Sequence, residues 1–494
     1  MSTATVLSRA TAGLYAPAVS VEVHLSNGLP GFTIVGLPES TVREARERVR
    51  SALLTSHFDW PDHRITVSLA PAEIPKGGGR FDLPIALGLL VASGQLPESM
   101  VSGREFFGEL GLDGRLRACR GLLSAAQAAT AAGNVCAVPE EQAGDLAGLP
   151  GSQVVGGADL LSLCGLLKSA SPPLAQPAEQ ELEQACAPDL ASVMGQKPAK
   201  RALEIAASGG HHLLMTGPPG AGKTLLASTL PGLLPKMGDK EQLELMLIRD
   251  QLGLSVDSNR PFRSPHHTVS AAGLMGGGAR ATPGEVSLAH GGVLFLDELP
   301  EFPRRILDLL RQPLEEGSVA IARARGSFRY PCQFQLVAAM NPCPCGYAGS
   351  IDPPCRCQND AVVRYQSRLS GPLLDRIDIC IPLERQDSAT VLRQVDPGEN
   401  SESVRTRIEV SRGVQQRRQG CLNHQLSGQE LLHQCRLDDS VRRWFEGASN
   451  RLQLSARSVH RTLRVGRTIA DMREEHRVGE EALLEALSYR PRLE

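Results

Sequence analysis

Three short stretches of the chain carry residue types that together suit phosphate chemistry. The first is Gly217, Pro218, Pro219, Gly220, Ala221, Gly222, Lys223 and Thr224. It fits the pattern of a phosphate-cradling loop between a strand and a helix. Its glycines let backbone N–H groups turn inward round an anion. Lys223 would reach the β- and γ-phosphates of ATP, and the Thr224 hydroxyl would ligate Mg²⁺. The second is Asp297 and Glu298, at the end of the apolar run 292–296. Asp297 would hold Mg²⁺, and Glu298 would activate a water against the γ-phosphate. The third is Asn341, just past the apolar run 334–340. An amide at a strand's C-terminal edge stands where open α/β sheets bind ligands, placed to hold the water or the γ-phosphate.

A separate set is Cys343, Cys345, Cys355 and Cys357, two C-x-C pairs with nine residues between them. Four thiolates suit tetrahedral Zn²⁺ and leave no open coordination position, so a structural role is expected. The other reading is free thiols in a loop, because C-x-C is tighter than the commoner C-x₂₋₄-C. The pairs follow Asn341 directly, so a metal there would brace that loop. The remaining cysteines are scattered and read as core residues.

These residues need a frame to hold them. At 494 residues, with 41% hydrophobic and 21% charged, the chain is long enough for roughly three domains with real cores. The first, residues 1–167, mixes alternating strands (19–25, 64–69) with Ala/Leu helices (84–93, 122–132) and reads as α+β. Residues 168–188, rich in Pro, Ala, Gln and Glu, read as a linker. Residues 189–384 repeat apolar strands that feed Gly-rich turns and helices, the pattern of a parallel α/β core. Residues 385–494 are mostly helical, closing on a helix with Ala482, Leu483, Ala486 and Leu487 on one face. The fold class is thus multidomain α/β. No run is long and apolar enough to span a bilayer. No secretory signal opens the chain, so twelve cysteines argue for reduced thiols or a metal, not a disulfide framework, in a cytoplasmic protein. A net charge of −2 advertises no nucleic acid, although the last part, where every basic residue is Arg, is mildly positive.

The order of residues 217–224, Asp297-Glu298 and Asn341 resembles that of AAA+ ATPases. Residues 284–324 are similar to the magnesium-chelatase-like branch, which includes the MCM replicative helicases. More narrowly, GHHLLMTGPPGAGKT, RPFRSPHHTVS, LVAAMNPCPCGY and SGPLLDRIDI resemble the ComM/YifB family of bacterial competence and recombination proteins. The resemblance implies an AAA+ core followed by a helical lid. It implies that Arg376 is an arginine finger reaching the γ-phosphate held by a neighbouring subunit, and that Arg457 is the sensor-2 arginine. A finger acting in trans implies an oligomer, and the family implies a homohexameric ring. DNA is the implied partner, and branch migration in homologous recombination and natural transformation the implied task.

Residues 318–328 read as two short strands round Arg323 and Arg325. In related helicases this hairpin touches the DNA backbone, and arginine pairs phosphates without sequence preference. Residues 260–267 and the turn at Gly276, Gly277 and Gly278 resemble a second pore element; His266 and His267 are given no contact. The first part resembles a Lon-protease-like domain through Pro75, Lys76, Gly77, Gly78, Gly79, Arg80, Phe81 and Asp82. Phe81 or Asp82 and Ala125 stand where its Ser–Lys dyad belongs, while Lys76 and Ser124 align elsewhere, so no protease is expected. Lys76, Arg80 and the glycines fit an exposed anion-binding loop or a plain turn equally well. A chelatase-type motor acting on a protein partner is the alternative function.

Overall fold

The computed structural model describes residues 2–169, 171–178, 187–255, 259–278, 281–323, 326–350, 353–385 and 398–490. In the first part, alternating apolar residues in Ala18–Ser26 and Arg64–Ala70 bury every second side chain, as a strand with one face on a core requires. They belong to a seven-stranded sheet in the order Gly31–Val35, Arg64–Ala70, Ala18–Ser26, Ser2–Arg9, Arg104–Phe106, Val135–Pro139, Val154–Gly157. Ser2–Arg9, Ala18–Ser26 and Arg64–Ala70 are antiparallel neighbours, in keeping with the α+β expectation. The other half departs from it. Ser2–Arg9, Arg104–Phe106, Val135–Pro139 and Val154–Gly157 run parallel, because helices Leu122–Ala131 and Glu140–Ala147 cross between successive strands. Asp82–Ala92 is apolar on every side, and ten of its eleven residues are buried.

The second part is built on a five-stranded, wholly parallel sheet. Its order is Phe262–Arg263, Val293–Leu296, Gln335–Met340, Leu213–Thr216, Ile379–Pro382. Val293–Leu296 and Gln335–Met340 are buried at every residue, as central parallel strands covered on both faces must be. The chain leaves Leu213–Thr216 for one edge, works back, and ends on the other side of that strand. The reversal opens a crevice beyond the strand's C-terminal end.

The third part is helical: Ser401–Gln419, Gly428–Cys435, Asp439–Arg451, Ala456–Met472 and Glu480–Ser488. Asn400 and Ser455 start two of these helices by accepting the backbone N–H of Ser403 and Ser458, the usual stabilising N-cap. In the closing helix, Ala482, Leu483 and Ala486 are buried, as their spacing predicts. They join one core with Leu203, Leu213 and Phe295 of the second part.

The stretch expected as a linker follows the first part closely where it is described. Ala175 N–H donates to Val154 O (2.7 Å) and Ala178 N–H to Gly144 O (3.1 Å). The first and second parts meet at the helix Asp239–Leu252. There the buried Asp250 carboxylate accepts the N–H groups of Leu123 (2.8 Å) and Gly121 (3.2 Å), capping the helix Leu122–Ala131 from outside its own segment. Among the described residues, no helix is long and apolar enough to cross a membrane.

Candidate functional site

The strand Leu213–Thr216 passes through residues 217–222 into the helix Lys223–Leu233. Gly222, at φ +85°, makes the left-handed step that starts the helix, a step glycine takes without steric cost. Lys223 Nζ folds back into the loop. It donates to Gly217 O (2.6 Å), Pro218 O (3.1 Å) and Asn341 Oδ1 (2.9 Å). Burial pushes the Lys223 ammonium down, and Asp297 and Glu298 oppose that shift. The sheet register accounts for the company it keeps. Thr216 pairs with Met340, and Leu296 with Ala338, so Asp297 and Asn341 emerge at the same end as the loop. Thr224 Oγ1 donates to Asp297 Oδ2 at 3.1 Å. A hydroxyl and a carboxylate are hard oxygen donors and fit Mg²⁺.

Glu298 sits at φ +51°, a region costing a residue with a side chain about 1–3 kcal/mol. Its N–H donates to Asp297 Oδ1 (2.9 Å). Its carboxylate lies 3.5 Å from His267 Nδ1 and remains 54% exposed. His267 in turn lies against His266, with ring centroids 4.0 Å apart. Sequence reasoning assigned His267 nothing. Its contact spans 31 positions, and no local pattern marks it.

Arg376 and Arg457 come together. Arg376 donates to Pro372 O (2.5 Å) and pairs with Glu315. Arg457 Nη1 donates to Asp375 Oδ2 (2.7 Å). Burial lowers the Arg376 guanidinium, and the nearby charges of Arg311 and Arg457 lower it further. One face of the helix Ala456–Met472 grips this segment. Arg461 donates to Leu374 O and Ile377 O (3.2 and 2.9 Å), and Arg464 stands 3.4 Å from Asp378. Asp378 also meets His211 Nδ1 at 2.8 Å, and His211 Nε2 meets Thr468 Oγ1 at 2.8 Å. Burial opposes ionisation of Asp378, but Arg464 and His211 outweigh it and hold the carboxyl well below its usual range. This network was not anticipated from sequence.

The four cysteines converge. Their sulfur atoms all lie within 4.8 Å of one another. Three separations are Cys343–Cys345 3.3 Å, Cys345–Cys355 3.6 Å and Cys343–Cys355 3.7 Å. Backbone amides of Arg356 and Tyr347 pull the Cys345 thiol down to about 6. An all-thiol donor set at these separations fits a zinc ion.

The expected hairpin is present as Ser318–Arg323 and Gly326–Pro331, antiparallel, with Arg323 opposite Gly326. Arg325 and the Arg323 side chain lie outside the described residues. In the first part, Lys76 and Arg80 correct the expectation of an exposed anion-binding loop. Their exposures are 0% and 4%. Lys76 Nζ donates to Pro71 O, and Arg80 donates to Arg9 O and Arg120 O. Ser124 Oγ donates to Gly121 O (3.2 Å), so Lys76 and Ser124 have separate partners. Asp82 is paired with Arg48 (2.6 Å), and Phe81 and Ala125 are buried.

The family described as magnesium chelatase, subunit ChlI, matches residues 189–391. Its companion descriptions, subunit ChlI of Mg-chelatase and the ChlI C-terminal region, match residues 21–142 and 398–490. The chain is 46% identical over 500 residues to a protein named Competence protein ComM from Haemophilus influenzae, covering 99% of this chain and 98% of that one. It is 46% identical over 497 residues to YifB from Salmonella typhimurium, covering 99% and 97%. A more distant relative is the Holliday junction branch migration complex subunit RuvB from Levilactobacillus brevis, 26% identical over 179 residues, covering 34% and 43%. The chain belongs to the ComM/YifB family of magnesium-chelatase-like proteins.

Proposed function

We propose that this chain is a Mg²⁺-dependent AAA+ ATPase that assembles as a homohexameric ring and moves DNA, promoting branch migration in recombination and transformation. One observation carries the reading. Lys223, Thr224, Asp297 and Asn341 meet through hydrogen bonds where parallel strands end together. Lys223 would bind the β- and γ-phosphates, with Gly217, Pro218, Pro219, Gly220, Ala221 and Gly222 wrapping them. Thr224 and Asp297 would hold Mg²⁺, whose charge offsets that of the phosphate oxygens. Glu298 would accept the proton of the attacking water, and Asn341 would position that water. Arg376, with Arg457 beside it, would reach the γ-phosphate held by a neighbouring copy, giving up Glu315 to do so.

The DNA assignment is supported by the names of the competence and branch-migration relatives. The hairpin, whose first strand ends at Arg323 and whose sequence carries Arg325 two residues on, would touch the DNA backbone. The four thiols would hold a structural zinc ion. A second reading, a chelatase-type motor acting on a protein partner, is favoured by the three matching family descriptions.

The test is steady-state ATP turnover with and without single-stranded, duplex and forked DNA. Turnover should rise with DNA. Glu298→Gln should lower it about 10²–10⁴-fold with ATP still bound. Arg376→Ala should lower it about 10³-fold in the assembled protein. Arg323→Ala should remove the response to DNA and spare the basal rate. A basal rate that no DNA moves at low salt, yet that Glu298→Gln abolishes, would leave an ATPase and sink the DNA assignment in favour of a protein partner.

A further inference from the structure

We infer that the four-thiol cluster is a zinc clamp on the nucleotide site: zinc bound by Cys343, Cys345, Cys355 and Cys357 sets how tightly the protein holds ATP. This rests on reading Lys223 and Asn341 as phosphate-site residues.

Zinc–sulfur bonds of about 2.3 Å in a tetrahedron hold the sulfur atoms about 3.8 Å apart. The cluster's 3.6 and 3.7 Å separations meet that, and its 3.3 Å one lies a little inside it. Backbone N–H groups point at the sulfurs, among them Ala348 to Cys343 (3.2 Å) and Cys357 to Cys355 (3.4 Å). Donors of this kind around a metal ligand fix its orientation and favour its ionised form.

The cluster touches the phosphate site from two sides. Asn341, whose amide oxygen accepts from Lys223, lies two residues before Cys343. The turn at Gly346, just after Cys345, lies directly against the phosphate loop. At Gly346 (φ +88°) a Cβ would stand only 2.5 Å from Pro219 Cδ, so the turn and the loop share one surface. A third tie runs to the helix Asn359–Gln366, which follows Cys357. Gln366 Nε2 donates to Pro342 O at 3.2 Å, between Asn341 and Cys343.

What holds this segment in place is the thiols, not a core. From residue 341 to 358 the described backbone forms no helix or strand. Of the four cysteines only Cys343 is buried. An irregular segment with little apolar burial must offset its ordering entropy in another way, and a metal that binds only the folded arrangement does so. Remove the metal and four thiols in close contact have no shared bond. Asn341 and the Gly346 turn are then released together, and the Lys223 ammonium loses a fixed partner. One charge-assisted hydrogen bond is worth about tenfold or more in affinity.

The experiment uses the full-length chain without DNA and without turnover. Zinc is counted per chain by elemental analysis, and the Kd of a fluorescent ATP analogue is measured by titration. One zinc per chain is expected. Stripping it with a strong chelator should weaken nucleotide binding by about tenfold or more, and added zinc chloride should restore it. Cys355→Ser/Cys357→Ser should behave as the stripped protein. Cys355→His, which keeps a ligand, should retain both zinc and affinity, separating the clamp from a general folding defect. Protein that takes up no zinc at all overturns the clamp. Zinc that can be removed with the Kd unchanged within twofold overturns it as well. Zinc-loaded protein that binds no nucleotide overturns instead the reading of Lys223 and Asn341.

Discussion

The chain contains two glycine-rich loops that each carry a lysine and lead into a helix, and they sit in opposite surroundings. In the second part, Gly217 to Thr224 opens on a crevice where the strand order reverses, and the half-buried Lys223 faces Asn341, with Asp297 beyond Thr224. In the first part, Lys76, Gly77, Gly78, Gly79 and Arg80 precede the helix Asp82–Ala92, but Lys76 is sealed and turned to Pro71 O. A side chain at Gly77 would collide with the Glu39 carboxylate, and one at Gly79 with that of Glu109. The protein's own acids already occupy the places an anion would take. Glycine and lysine therefore supply only the ability to curl round a phosphate. Whether a phosphate site results depends on the topology that empties the crevice and on where the nearest carboxylates stand.

The comparison breaks most visibly on the lysines. Lys223→Ala should lower kcat/KM for ATP about 10³-fold, since on the proposed reading it removes the cation that meets the transferring phosphoryl group. Lys76→Met should leave turnover within about twofold and cost about 1 kcal/mol of stability, the net worth of its hydrogen bond. If Lys76→Met also silenced turnover, the first loop would have a role in the ATP cycle that its burial argues against.

Acid should separate the regions next. Burial pushes His212, beside the start of the phosphate-loop strand, down to about 4, and His424, packed against it, down to about 3. Leu336 N–H donates to His212 Nδ1 at 3.0 Å, which requires that nitrogen to be unprotonated. In the unfolded chain both rings protonate below about pH 6.5. Between there and pH 4 the unfolded state binds more protons, so this stability is complete above pH 6.5 and drains away as the pH falls. His212 alone accounts for about 3 kcal/mol. The histidines of the first part, His24, His57 and His63, are not buried. Hydrogen exchange at pH 7 and pH 4.5 should show the second part loosening first. Equal loosening of both would mean that other groups control the acid response.

The smallest effect tests the seam between the two. Asp250→Ala removes the borrowed cap of the helix Leu122–Ala131 and should cost about 1–2 kcal/mol, read by urea unfolding, with ATP turnover unchanged. No change in stability would mean that solvent caps that helix as well as Asp250 does.

What could be read from sequence follows the same division. The grouping of residues 217–224, Asp297, Asn341 and the paired cysteines is legible because each lies in or beside a short local pattern, and a strand's end fixes where they emerge. The parallel half of the first sheet was not legible, because its three added strands are short and the period of two has little room to show. Burial of Lys76 and Arg80 was not legible either. Their carbonyl partners include Arg9 and Arg120, far away in sequence. Arg376 was legible through a family string, but its setting was not: Asp378, His211 and Thr468 are separated by 167 and 257 positions.

That setting has a mechanical meaning. Arg457, Arg461 and Arg464 project from one side of a single helix onto residues 374–378, and His211 ties the same segment to the first strand of the central sheet. The segment bearing Arg376 is thus a joint shared by the C-terminal helices and the central sheet, with the buried Asp378 at its centre.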